Sequence, residues 1–364
     1  MCDYDSSKIL LRLQEAMEAA PTPVVEPMQV DRWLATSVLQ KAVRRGDSTY
    51  ALRAASALWH IDRQKLYQRL AVIACEDVGA GNPVLVTDVL TAVSSSVWRR
   101  RVGCLRVALF LTRQLCKSVK SRIADDLYIQ AERAPEYAPL RARLAMADDE
   151  TLAGIVADVD AGLVKRGLAL WLLAGTRKFP SDVIPSRHGV VTDAIESLRM
   201  LSAPVALVES CIAVVGRLSH PLSLFMPLIW QEVQKHQAEL SVQHNAIPAP
   251  IEVEDVPLYS CDMFTRVGGA SFRRLQKAVP ELQRFSTRQV GLANFYREGA
   301  LLDKALTSPY LDTFRQAGEM ADIEGNGMDI PSYLGLRDSL DHHATLLDGI
   351  RTEQLQQHLD GVAA

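Results

Sequence analysis

"LAVIACEDVGAGNP", residues 70–83, starts as an apolar segment and then sets two acids, Glu76 and Asp77, side by side just ahead of Gly79, Gly81, Asn82 and Pro83. Its reading decides the fold. "AVIACED" imitates a strand that ends in paired carboxylates, but residues 63–78 place their apolar side chains at helical spacing, and a helix is predicted. Negative charge at a helix C-terminus faces the negative end of the dipole, at a cost on the order of a few tenths of a kcal/mol. The two acids therefore need partners. Lys41, Arg44 and Arg45 on the preceding helices and the amides of the "GAGN" turn are the expected ones. The pair could serve catalysis, hold a metal, or fix a corner of the fold, and the last is the plainest reading.

Outward from this stretch the pattern stays helical, with almost no run of period two and no Asn-Gly hairpin between two such runs. A first helix is predicted over about 6–20, followed by the proline-rich "PTPVVEP". Further helices fall near 31–45, 48–60, 62–78, 83–96 and 97–118. Asp31 and Asp47 or Ser48 fit N-caps, and Gly46 and Gly79 fit helix terminators. "ERAPEYAPL" (132–140) separates this module from a second helical block, in which "DAGLVKRGLALWLLAGTRKFP" reads as one buried helix ended by Gly175 and Pro180. "NAIPAPIEVEDVPLYS" (245–260), with three prolines and three acids, reads as the clearest linker, and a final helical block covers about 262–306. The expected fold is all-α, a multi-helix bundle divided as 1–27 (helix and linker), 28–135, 140–244, 258–340 and a polar tail over 341–364.

The chain of 364 residues is 48% hydrophobic and 23% charged, the balance of an ordinary globular protein. A net charge of −3 excludes a polyanion binder that works by bulk charge, and leaves room for local basic patches. Six cysteines (2, 75, 104, 116, 211 and 261) form no C-x-x-C pair, and several sit inside apolar helical patterns as small hydrophobes. That usage suits a reducing cytoplasm. The start lacks the basic n-region and unbroken apolar core of a signal peptide, and no apolar run reaches the length of a membrane span, so no membrane partner is expected.

Two stretches, "LQKAVRRGDSTYALRAASAL" and "LYQRLAVIACEDVGAGNPVLVTDVLTAV", together resemble the C-terminal helical region of clamp-loader-related AAA+ ATPases, of the replication-associated recombination protein A and Werner-helicase-interacting type. Arg45, Gly46 and Asp47 match the Arg-Gly-x-Asp element of that family approximately. Arg69, Leu70, Ala74, Glu76, Asp77, Val78, Gly79 and Pro83 match the second element, with Cys75 where the family has serine and a shift around residues 80–82. The resemblance covers roughly residues 31–96 and implies a collar that oligomerises ATPase subunits, apart from the part that hydrolyses ATP. The chain carries no G-x-x-x-x-G-K-[ST] phosphate cradle and no apolar strand ending in paired acids, so it looks like a collar without a motor. No cofactor is implied.

Two basic regions are candidate nucleic-acid surfaces. In "SVWRRRVGCLRVALFLTRQLCKSVKSR" (96–122) there is no acid, and Arg99, Arg106, Arg113, Lys117 and Lys120 fall broadly on one face of a continuous helix, with Arg100 and Arg101 beside them. A stripe of this kind fits a phosphate backbone. The alternative is an internal ion-pair face, whose expected partners are Glu76, Asp77, Asp125 and Asp126. In "YSCDMFTRVGGASFRRL" (259–275), Arg266, Arg273 and Arg274 could grip a phosphate, Asp262 fits an N-cap, and the two adjacent glycines imply another backbone packed close by. "DHH" (341–343) imitates a manganese-phosphoesterase signature, but sits in a polar helical context without that family's other acids, and no other histidines have ligand spacing. The reading expected from all this is a non-catalytic assembly or adaptor protein in DNA replication, recombination or repair, partnered by itself, a separate AAA+ ATPase, or DNA. A metal-dependent or phosphoryl-handling enzyme built on 262–274 or 341–343, and a helical scaffold with no DNA role, are the alternatives.

Overall fold

A computed structural model describes residues 5–21, 23 and 25–363. Cys2 and part of the 21–27 linker lie outside them. The protein is an all-α, multi-helix assembly. Its first part contains α1 (Ser6–Ala19), α2 (Arg32–Arg44), α3 (Ser48–Ile61), α4 (Arg63–Ile73), α5 (Pro83–Ser94), α6 (Ser96–Val102), α7 (Cys104–Lys117) and α8 (Ile123–Arg133). There follow α9 (Ala138–Ala145), α10 (Asp149–Ala157), α11 (Leu163–Ala174), α12 (Val191–Arg199), α13 (Val205–Val214) and α14 (Leu222–Lys235). The last part holds α15 (Arg266–Ala278), α16 (Thr287–Asn294), α17 (Pro309–Gly325), α18 (Ile330–His342) and α19 (Ala344–Ala363). No helix among the described residues is long and apolar enough to cross a membrane.

The caps are local chemistry. The Asp31 carboxylate accepts the amides of Trp33 and Leu34, and Asp47 accepts those of Thr49 and Tyr50. Each satisfies orphan donors at the start of a helix. Asn82 accepts the Leu85 amide and Pro83 takes the first position of α5, where its missing N–H costs nothing.

One hydrophobic core runs from α1 to α14 without a break at 135–140. Leu127 of α8 lies against Gly167 of α11, so the two expected blocks share an interior. α11 is buried along nearly its whole length and ends at Gly175 with φ 91°, as its sequence implies. A second, smaller core of Phe272, Leu275, Val290, Tyr333, Leu336 and Leu347 belongs to the last helices. The expected polar tail is in fact α19: Leu347, Ile350, Leu355 and Leu359 are buried, because a sparse apolar stripe is enough for a helix that packs on α15.

The strand content is small but placed where it matters. β1 (Ser241–His244) pairs antiparallel with β4 (Lys304–Thr307), and β4 also bridges to Lys120 in parallel. The Lys120 amide donates to the Lys304 carbonyl at 2.9 Å and the Leu306 amide to the Lys120 carbonyl at 2.8 Å. The expected linker at 245–260 instead holds the two-residue strands β2 (Glu252–Val253) and β3 (Val256–Pro257), followed by buried Leu258 and Tyr259. The expected helix end at 306 is likewise β4.

Candidate functional site

The acid pair sits in a π-turn, Ala74–Val78, that continues α4 and closes at Gly79 with φ 46°. Such turns inside helices are frequent at functional positions. Here the extra residue brings both carboxylates round to α2. Arg44 Nε donates to Asp77, and Arg44 Nη2 reaches Glu76 Oε1 at 2.8 Å. Gln40, one turn earlier on the same face, donates its amide to Glu76 Oε1 and Asp77 Oδ2, both at 2.9 Å. Arg69 Nη1 in turn donates to Gln40 Oε1 at 2.8 Å, which fixes the orientation of that amide. Asp77 is fully buried, while Glu76 keeps 16% of its side chain exposed.

Of the expected cationic partners, then, only Arg44 meets the acids. Lys41 is buried against Asp262 and Ser37 instead, and burial pulls its ammonium below the ordinary lysine range. Arg45 donates to the Glu298 carbonyl at 3.0 Å and stands 4.3 Å over the Tyr259 ring. The "GAGN" amides do not hold the carboxylates either. The glycines are there because the 119–121 backbone lies on them: a Cβ on Gly81 would sit 2.5 Å from the Val119 carbonyl oxygen, and one on Gly79 2.7 Å from that of Ser121. Gly46 has φ 70°, and its face is closed by Asp303.

A second π-turn, Phe295–Gly299, faces the first. The Phe295 ring lies between two guanidiniums, with Arg44 at 5.3 Å and Arg122 at 4.9 Å from its centroid. Arg44 Nη1 also donates to the Gly299 carbonyl at 3.0 Å. Arg122 pairs with Asp125; burial alone lowers its pKa, but the carboxylates of Asp125, Asp77, Glu76 and Asp126 outweigh burial and hold it firmly charged. Burial, with the charges of Asp77 and Asp125, pushes Glu76 up to about 7. Gln40 and Phe295 are the members of this corner that sequence reading missed. Gln40 was reachable, being four residues from Arg44 on one helix face, while Phe295 has no local signal.

A carboxyl near neutrality can exchange protons, but neither of two clefts among the described residues opens on this one. A cleft of about 430 Å³ is lined by Lys8, Ile9, Pro83, Val84 and Trp230, and one of about 500 Å³ by Glu26, Arg53, Glu254 and Asp255. Neither reaches Glu76. Among the described residues no group of three or more His, Cys, Asp or Glu side chains could hold a metal. In "DHH", Asp341 binds Arg297 and His343 binds Glu281, so the residues serve separate partners.

The predicted basic stripe over 96–122 is not continuous. Gly103, with φ 101°, breaks it into α6 and α7, and α7 stops at Lys117. Arg99 is buried, donates to the carbonyls of Ala92 and Val93, and lies 4.1 Å from the Tyr67 ring centroid. Lys120 is fully buried, pairing with Asp303 at 2.6 Å and donating to the carbonyls of Cys116 and Ser118. Arg106 and Arg113 donate to the carbonyls of Met17 and Pro21. Among the described residues, only Arg100, Arg101 and Lys117 of this run remain exposed with no bonded partner for the side chain. The internal alternative holds for Arg122 alone in the form expected, since the other buried bases meet backbone carbonyls or Asp303 rather than Glu76, Asp77 or Asp126. Around 262–274, Thr265 caps α15 and Asp262 pairs with Lys41, so the expected N-cap moves by three residues. The glycines do mark a close approach: a Cβ on Gly268 would fall 1.9 Å from the Asp262 carbonyl oxygen. Arg266 and Arg273 are exposed, and Arg274 pairs with Glu353 of α19.

No family model, no curated protein and no solved structure matches this chain.

Proposed function

We propose that this chain is a non-catalytic assembly or adaptor protein with a collar-like helical module, acting in DNA replication, recombination or repair through self-association and contacts with an AAA+ ATPase or DNA. The observation that carries the reading is the destination of the motif residues. Arg45, Arg69, Glu76 and Asp77 turn into one corner that ties α2 and the first π-turn to residues 295–303, Gly46 and Gly79 lie against Asp303 and Ser121 at its edge, and none of the six lines either cleft described above. Asp47 and Pro83 start the helices that frame the corner. Residues of this kind build a rigid platform rather than a reaction centre. Self-association is supported by apolar side chains left outward on the same module, with Trp33, Ile61, Val84 and Val97 all exposed.

The test uses the purified full chain. Light scattering should give a mass of two or more chains at micromolar concentration, and ATP turnover should equal that of a mock purification. A mass of one chain throughout overturns the assembly reading, and turnover above the mock overturns the non-catalytic one.

A further inference from the structure

The exposed face of α15 is a feature that the buried corner does not use. Arg266, Ala270, Arg273 and Lys277 recur at intervals of four, three and four, which places them in one stripe along the helix. Val267, Ser271, Phe272 and Leu275 are buried on the opposite side. At 1.5 Å per residue the stripe is about 16 Å long. No hydrogen bond or ion pair engages Arg266, Arg273 or Lys277 among the described residues. The nearby acids are already taken, Glu353 by Arg274 and Glu281 by His343. Gly269 and half-buried Ala270 are small, and the Arg273 guanidinium reaches back along the helix, its Nη1 3.6 Å from where a Cβ on Gly269 would stand. Arg284 and Arg288 are exposed just beyond, so residues 263–288 carry six bases against the one acid Glu281.

At the head of the stripe stands Phe264, 69% exposed. Its backbone is not loose. The Phe264 amide donates to Asp262 Oδ1 at 2.9 Å, and Asp262 is itself locked by buried Lys41. An outward phenyl ring on a fixed base, next to unpaired arginines, supplies what an unpaired nucleotide strand needs. The cations meet phosphates, and the ring offers a stacking surface to a base. A duplex could use only the cations, because its bases are already stacked.

The geometry points to the Phe264–Arg266–Arg273–Lys277 face as a binding platform for a single-stranded nucleic acid. The assignment rests on the adaptor reading only for its setting in DNA metabolism.

The experiment measures fluorescence anisotropy of labelled oligothymidylate, oligouridylate and a DNA duplex with the full chain, between roughly 50 and 200 mM salt. Wild-type protein should bind the single strands, and a preference for thymidylate or for uridylate says which strand the platform takes. R266Q/R273Q/K277Q should weaken single-strand binding at least tenfold and flatten the salt slope by about two units, at roughly 0.7 per contact. F264A should weaken single-strand binding roughly five- to a hundredfold and leave duplex binding unchanged. R100Q/R101Q/K117Q is the control and should change affinity less than threefold. Circular dichroism verifies that each variant is folded, and a failure of the triple variant to fold leaves F264A as the deciding arm. Absence of single-strand binding, indifference to both α15 variants, or displacement of the strand by polyglutamate at equal charge overturns the proposal, the last outcome assigning the face to an acidic protein. Absence of this binding in the wild-type chain, with an oligomeric mass, sinks the platform and leaves the assembly reading standing. Binding by a chain that stays monomeric does the reverse.

Discussion

Residues 96–122 carry eight bases and no acid, and residues 263–288 carry six bases and one acid. On the sequence the first is the stronger candidate for a polyanion surface. In the folded chain, Arg99, Lys120 and Arg122 are inside, and Arg106 and Arg113 cross over to backbone carbonyls near the N-terminal helix. The second region buries none of its bases, and keeps Arg266, Arg273 and Lys277 outward on one helix face. The difference is what surrounds each run. The first is threaded along the main core, so Arg99, Lys120 and Arg122 serve as internal donors. The second lies on a helix whose buried face is fully supplied by Val267, Ser271, Phe272 and Leu275. Charge density in sequence says how many donors a segment has, while the packing of its other face says which way they point.

The contrast breaks most readily at Arg122. Replacing it with glutamine leaves Asp125 and the Glu76–Asp77 pair short of their buried cation, and should cost roughly 3–5 kcal/mol in a denaturant titration. An equal change at Arg273 should stay within about 0.5 kcal/mol. If both variants unfold at the same midpoint, the distinction between inner and outer bases is wrong.

Arg99→Gln should have a smaller effect. It removes charge-assisted bonds to the carbonyls at the end of α5 and the stacking on Tyr67, and should destabilise by roughly 1–3 kcal/mol. A thermal melt unchanged from wild type would show that α6 holds without it.

Glu76 sharpens the comparison through pH. Its folded value is raised from 4.5 to about 7, so the folded state binds more protons than the unfolded state between those values. The stability this carboxyl contributes is full below about 4.5 and is lost as pH rises toward 7. Glu76→Gln should therefore flatten the fall in melting temperature over that interval. A variant whose melting temperature follows the wild-type pH dependence would place the titrating group elsewhere.

The smallest effect belongs to the exposed remainder of the first region. R100Q/R101Q/K117Q should change stability by no more than about 0.5 kcal/mol, measured by the same denaturant titration. A loss well beyond that would mean these bases have partners in the assembled protein.

Much of the fold was legible because it rests on neighbours in the chain. Asp31 and Asp47 announce their helices, Gly46 and Gly175 end theirs through positive φ, and the all-α class follows from the helical spacing. α19 was harder to read. Its buried positions are Leu347, Ile350, Leu355 and Leu359, too sparse among glutamines and acids to announce a core face. The break at Gly103 was visible as a residue type, but bases recurring on both sides of it at helical spacing, with no acid between, suggested one helix. At the candidate site, the acid pair with Arg44 and Arg122 was legible, and the placement of Lys41, Arg45 and Phe295 was not. Lys41 goes to Asp262 and Arg45 to Glu298, and no spacing along α2 tells which of three neighbouring cations faces which segment. Such choices are made by residues far away in the chain, through β4 and the second π-turn.

That distance has a consequence for synthesis. Arg44 and the Gly299 carbonyl that it binds are 255 residues apart. At roughly 5–20 residues per second, the ribosome needs on the order of ten to fifty seconds to deliver the second half of the contact. Throughout that interval the nascent protein holds Glu76, Asp77 and Arg44 at an unfinished seam, with the 119–121 backbone still waiting for β4. The late-arriving residues 295–307 act as a closing clasp, and a ribosome stalled before them leaves the seam open to chaperones and proteases.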